Sequence, residues 1–145
     1  MMYETKISPT MREQKRHDYQ WALKMLDESG VFAGYASVFS VIDQQKDVML
    51  PGAFMDSLTR HGDVKLLWQH DVAEPIGRIE ELREDENGLY IKGRLSLDVV
   101  RGKEAYSLLK QGILSGLSIG YSPIRYEYDP ETGVRLLKQV DCNFV

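Results

Sequence analysis

Residues 75–84 and 89–97 flank Glu84-Asp85-Glu86-Asn87-Gly88, and this arrangement constrains the fold more than any other segment. Asn-Gly between two apolar runs is a strong hairpin signal, because both residues tolerate the positive φ of a tight turn. In the second arm Leu89, Ile91, Gly93, Leu95 and Leu97 fall on one face, and Tyr90, Lys92, Arg94 and Ser96 on the other. Successive side chains of a strand point to opposite sides, so this arm has one face in a core and one in water. That is the pattern of an antiparallel sheet.

Other segments repeat the theme. Trp21–Leu26 and Val31–Val41 read as strands around a turn at Glu28-Ser29-Gly30, and Val64–Trp68 as a short buried strand. Leu117–Tyr128 and Val134–Val140 flank a turn at Asp129–Gly133. Ala53–Arg60 and residues 99–111 have helical spacing; Gly62 and Gly112 stand as C-terminal caps and Asp98 as an N-cap. The pattern predicts an α+β fold, mainly antiparallel β: a closed or nearly closed β-barrel of about seven strands with about two peripheral helices. Residues 1–20 are polar and aperiodic and read as a flexible arm, with a single domain over 21–145.

The chain has 145 residues, 43% hydrophobic and 28% charged, enough for one domain with a real core. Eighteen Lys and Arg against 22 Asp and Glu give a net charge of −4, which argues against a nucleic-acid binder working through a basic field. No apolar run approaches the ~18–20 residues that span a bilayer. The first twenty residues lack the apolar centre of a secretory signal. A single cysteine, Cys142, excludes an internal disulfide and a multi-cysteine zinc site.

Gly116-Leu117-Ser118-Ile119-Gly120 formally matches the nucleophile elbow of α/β hydrolases. The elbow needs a strand before its serine and a helix after it. Here the order is reversed, so what remains is a serine on a strand between two glycines. Small neighbours allow a substrate backbone to approach the hydroxyl; glycines in a tight barrel corner are the structural alternative. His70, in Trp68-Gln69-His70-Asp71, stands at the end of a buried strand. Its ring can take a serine proton and pass it to a leaving amine, although a surface histidine beside a structural tryptophan fits the same residues. His61 reads as a helix-end residue, and His17 in the arm receives no role. Asp43 and Asp47 read as turn acids, since one short loop lacks the six or more oxygens that calcium takes. Cys142 has no feature that marks it as a nucleophile.

Taken in order, several blocks resemble the prohead proteases of tailed phages: Gly34–Phe39, Pro51-Gly52-Ala53-Phe54, Val64–Asp71 with Pro75-Ile76-Gly77, Gly88-Leu89-Tyr90, Gly93-Arg94-Leu95, Gly102–Tyr106 and Gly116–Tyr121. The family is related in fold to the herpesvirus assemblins, which implies the same barrel. The resemblance implies a serine endopeptidase, without metal or organic cofactor, with Ser118 as nucleophile and His70 as general base. Its implied partners are the major capsid protein precursor and its scaffold segment. Self-cleavage and a homo-oligomer belong to the same picture, and nucleic acid and membrane do not. The implied location is the host cytoplasm inside the prohead, or the bacterial cytoplasm for a prophage-borne copy.

The family pattern places glutamates near the final strand, where this chain has Gln139 and Phe144. Asp141 is the remaining carboxylate for the orienting role. Antiparallel pairing of Tyr128 with Val134 would set Ser118 opposite Phe144. The family also continues past the position of Val145, so a shortened or altered end belongs to the expectation. With its acid displaced, the alternative function is a catalytically weak or inactive capsid-assembly module that binds scaffold.

Overall fold

A computed structural model describes residues 23–43, 45–60, 64–114 and 116–145. The expected arm, the first two residues of the first strand, His17, His61 and the Gly62 cap lie outside the described residues.

Five antiparallel strands form the larger sheet, in the order β1 (Lys24–Met25), β2 (Val31–Val38), β6 (Gly88–Leu95), β5 (Pro75–Glu84) and β4 (Leu66–Leu67). The predicted hairpin is its centre: Glu84 pairs with Leu89 and Gly77 with Leu95. The Asp85 carboxylate closes the turn by accepting from the Asn87 and Gly88 N–H groups at 2.8 and 3.2 Å. Leu89, Ile91 and Leu95 are buried, as the alternation requires, and pack with Phe32, Phe54, Leu137 and Val140. The second sheet has the order β3 (Asp47–Met49), β8 (Arg135–Phe144), β7 (Gly120–Tyr128). Its β3 pairs in parallel with β8 and is buried throughout. Three residues buried on both faces carry no alternation, so the sequence offers no strand signal at β3.

The barrel expectation is overturned: the two sheets do not close. Among the described residues they are joined at two places: by a Lys65–Phe144 bridge with the reciprocal bonds Leu67 N–H to Val145 O (2.7 Å) and Val145 N–H to Lys65 O (2.8 Å), and where the chain after β2 meets β3 through Ser40 N–H to Met49 O (2.9 Å) and an Ile42–Val48 bridge. The reason is strand length. β1 and β4, the margins of the larger sheet, have two residues each, too few to carry a ladder around a cylinder. Leu117, Ser118 and Ile119, expected in strand, lie before β7 and outside either sheet.

Two helices fill the gaps. The first, α1 (Met55–Arg60), docks on β8, where buried Ser57 Oγ accepts the Cys142 N–H at 2.9 Å. Glu84, from the neighbouring hairpin, receives the Gly52 and Phe54 N–H groups leading into α1. Its carboxylate satisfies donors that a short helix cannot pair internally. The second helix, α2 (Val100–Lys110), lies against the end of β6. A Cβ at Gly102 would stand 2.0 Å from the Ser96 carbonyl, so only glycine allows this approach. Gly112 ends α2 as expected, with φ +72° and bonds from Gly112 N–H to Leu109 O and Ile113 N–H to Leu108 O. Asp98 does not cap it: Val99 occupies the cap position without a side-chain bond, because the chain enters through a turn closed by Val99 N–H to Ser96 O.

Candidate active site

Trp68-Gln69-His70-Asp71 leaves β4 in a tight turn closed by Asp71 N–H to Trp68 O at 2.9 Å. Both central residues are left-handed, Gln69 at φ 51° and His70 at φ 57°. Neither is glycine or asparagine, so each carries a steric cost of roughly 1–2 kcal/mol. Trp68 N–H to Glu74 O and Glu74 N–H to Asp71 O, both 2.9 Å, and Ala73 N–H to the Asp71 carboxylate hold the loop in this shape. Strain of this kind persists only where its surroundings over-determine it, and it collects at functional sites. Replacing Gln69 with glycine is expected to raise the unfolding free energy by about 0.5–1 kcal/mol, the relieved clash exceeding the entropy that glycine adds to the unfolded chain. Urea denaturation measures it; a loss of stability would show that the turn is unstrained.

This turn brings His70 to Ser118, 48 residues away in sequence. The ring Nε2 lies 3.2 Å from the Ser118 carbonyl oxygen. A carbonyl only accepts, so Nε2 carries a proton in this arrangement. To accept the Ser118 hydroxyl proton at Nε2, the ring must first release that carbonyl. On its other side the ring meets Phe144 edge-on, with centroids 5.0 Å apart. A phenyl ring offers no lone pair to a histidine N–H, so it packs the imidazole without fixing its tautomer.

Gly120 is opposite Phe144, two positions beyond the Ser118 of the sequence estimate. One of these positions is lost at the turn, where Tyr128 pairs with Arg135 and not with Val134, and the other is added by irregularities along the ladder, which constant pairing could not anticipate. The pairing also explains one of the two glycines: a Cβ at Gly120 would strike the Phe144 ring at 2.1 Å, whereas one at Gly116 would meet nothing within 4 Å. Asp141 pairs with Ser122 and does not line the cavity that His70 and Ser118 share.

That cavity has a volume of about 480 Å³. His70, Ser118 and Gln69 supply its polar side chains, and the rest of its lining is apolar or glycine. Arg101, at the start of α2, spends its charge nearby. It reaches Glu104 at 2.7 Å and Glu74 at 3.8 Å, with its guanidinium 5.1 Å from the Trp68 ring centroid. Cys142 is buried, and burial pushes its thiol up to about 11, unfavourable for a nucleophile. Asp43 is a turn acid, accepting from the Gln45 and Asp47 N–H groups. Asp47 is more: it is buried and bonded to Arg135 and Tyr121. Among the described residues no cluster of His, Cys, Asp or Glu suits a metal ion, and no helix is long and apolar enough to cross a membrane.

A strained histidine turn beside a glycine-flanked serine, at the mouth of an apolar cleft, defines a candidate serine-hydrolase site. Residues 18–143 match the caudovirus prohead serine proteases, and the chain belongs to that family. It is 33% identical over 117 residues to the prohead protease of Enterobacteria phage HK97, covering 79% of this chain and 52% of that protein. It is 29% identical over 111 residues to the prohead protease of Escherichia phage T5, covering 74% and 51%. A capsid polyprotein of Pseudomonas phage PAJU2 matches at 34% over 118 residues, 77% of this chain and 17% of the polyprotein. The chain thus spans about half the length of the two prohead proteases. In fold it is similar to the capsid assembly protease gp21 of bacteriophage T4, with a TM-score of 0.52, 14% identity, and 79% and 77% of the two chains covered.

Proposed function

We propose that this chain is a serine endopeptidase of capsid maturation that cuts scaffold segments from the major capsid protein precursor, and cuts itself, inside the prohead. The observation that carries the reading is the meeting of His70 and Ser118 at one cleft, across 48 residues of chain. In the reaction, His70 leaves the Ser118 carbonyl, its ring proton moves from Nε2 to Nδ1 through solvent, and the bare Nε2 accepts the Ser118 hydroxyl. Oγ then attacks the scissile carbonyl carbon as its proton passes to the imidazole. The imidazolium returns that proton to the leaving amine, and water repeats the sequence on the acyl-enzyme. Asp141 is the carboxylate the family resemblance leaves for orienting the ring; it pairs with Ser122 outside the shared cavity, so this role requires the end of β8 to shift. Confinement in a shell raises the effective concentration of substrate and compensates for a slow catalyst.

Two features favour a second reading, a weak or silent module of the same fold that binds scaffold: the phenyl edge against His70 and the proton held at Nε2 by a carbonyl. A fluorophosphonate probe separates the two. Covalent modification of Ser118, abolished in His70→Ala, is the expected result. An unmodified Ser118, with intact binding to the capsid precursor, would establish the silent module instead. Asp141→Asn should lower the labelling rate and shift its pH profile; an unchanged profile removes Asp141 from the mechanism.

A further inference from the structure

We propose that Tyr121 is a positioning residue for Ser118: its hydroxyl, held by Asp47, fixes where β7 begins and so where the serine stands relative to His70. The inference deepens the hydrolytic reading and rests on it for the change in rate, while the geometry it invokes is measurable without turnover. Ser118 lies three residues before Tyr121 and outside either sheet, so its place is inherited from the first residues of β7. Backbone pairing defines those residues poorly. The ladder with β8 shifts between Gly120 and Tyr121, between Pro123 and Arg125, and again between Arg125 and Tyr126. Pro123 has no N–H to contribute. A slip of one residue would turn Ser118 to the opposite side of the strand direction, away from the imidazole.

The Tyr121 side chain supplies the missing constraint. Its hydroxyl donates to the Asp47 carboxylate at 2.5 Å, and Asp47 is itself held by two bonds from Arg135. Asp47 pairs with Arg135 on β8, whereas Tyr121 pairs with Cys142, seven residues further on. Seven residues of straight strand span ~23 Å, more than a tyrosine and an aspartate side chain cover together. The bond therefore forms only because the small sheet is bent, and the irregularities between Pro123 and Tyr126 are where such a strand bends. It closes across the concave side of that bend. Straightening the sheet or sliding β7 along β8 breaks it, so one side-chain bond locks both curvature and register. Burial, with the Asp47 carboxylate beside it, pushes the phenol above its ordinary range, so it remains a donor. Tyr121 does not line the cavity that His70 and Ser118 share, so it acts through the backbone of residues 118–121 and not on a substrate.

The test compares the full-length chain with Tyr121→Phe, which removes one oxygen, and with Tyr128→Phe, a control at an exposed tyrosine of the same strand. Two quantities are read: the limiting rate of Ser118 labelling by a fluorophosphonate, and the NMR signals of the carbon-bound ring protons of His70, which need no reaction. Tyr121→Phe is expected to lower the limiting rate about 10- to 100-fold, the scale of a small misplacement of reacting groups, with the half-saturating probe concentration within twofold. Its His70 signals should move well beyond any change in Tyr128→Phe, whose labelling should stay within twofold of wild type. An unchanged rate, or His70 signals that stay in place while the rate falls, would overturn the positioning role. For a wild-type chain that the probe does not label, the hydrolytic reading falls and the His70 signals alone decide: moved signals keep the tie, and unmoved signals remove it. If Tyr121→Phe does not fold, Asp47→Asn weakens the same bond from its other end with little change of shape and carries the same expectations.

Discussion

Ser118→Ala is expected to lower cleavage of a capsid-derived precursor by about 10⁴-fold or more, as loss of a nucleophile does in serine proteases. The melting temperature should stay within a degree or so, since exposed surface positions contribute little to stability. Ser118 is exposed, and residues 116–119 carry no ladder, so removing one oxygen disturbs no packing. His70→Ala should cost a similar factor, and the double substitution no more than either alone, because the two groups act as one unit. Time courses of precursor cleavage measure all three. Activity within tenfold of wild type in either single variant would end the assignment of these two residues.

Asp47→Ala is expected to destabilise the fold by about 3 kcal/mol, the low end of the range for breaking a buried ion pair because Arg135 is only partly buried. Asp47 accepts two bonds from Arg135, at 2.7 and 2.8 Å, and one from the Tyr121 hydroxyl at 2.5 Å. Its side chain is 3% exposed and that of Arg135 25%. Removing the carboxylate leaves a guanidinium and a phenol without their shared partner and cuts the side-chain tie from β3 to Arg135 of β8 and Tyr121 of β7, leaving only the backbone pairing with β8. Burial alone would raise the Asp47 pKa, but the Arg135 and Tyr121 bonds outweigh it and hold the carboxyl below its ordinary value. An unfolded aspartate titrates near ~3.9, so on acidification the unfolded chain takes up this proton first. The Asp47 contribution is therefore complete above about pH 5 and is lost as the pH falls through the folded pKa. Urea denaturation from pH 7 downward should show Asp47→Asn, which lacks this titration, losing less stability than wild type. Parallel curves would show that the pair carries no linked proton.

The hairpin of β5 and β6 was legible because its signal is local. Alternation and an Asn-Gly turn specify a strand pair without reference to the rest of the chain. The Gly112 cap was legible for the same reason. The barrel was not, because closure is a property of strand length and of partners distant in sequence. Two-residue margins at β1 and β4 leave no ladder to complete it. β3 escaped notice because its parallel partner, β8, lies about ninety positions further on.

The site divides along the same line. Residue type alone singled out a serine between glycines and a histidine beside a buried strand, since few side chains in this composition can exchange a proton near neutral pH. The family resemblance, and not residue type, marked Phe144 as standing where a carboxylate was expected. That these groups share one cleft, that the imidazole rests on a carbonyl with a phenyl edge behind it, and that an apolar pocket opens beside them, only the tertiary structure decided. Chemistry belongs to single side chains and is written in the sequence. Distance and register belong to the packing of segments far apart in the chain, and short, bulged strands move them by an amount that no local pattern encodes.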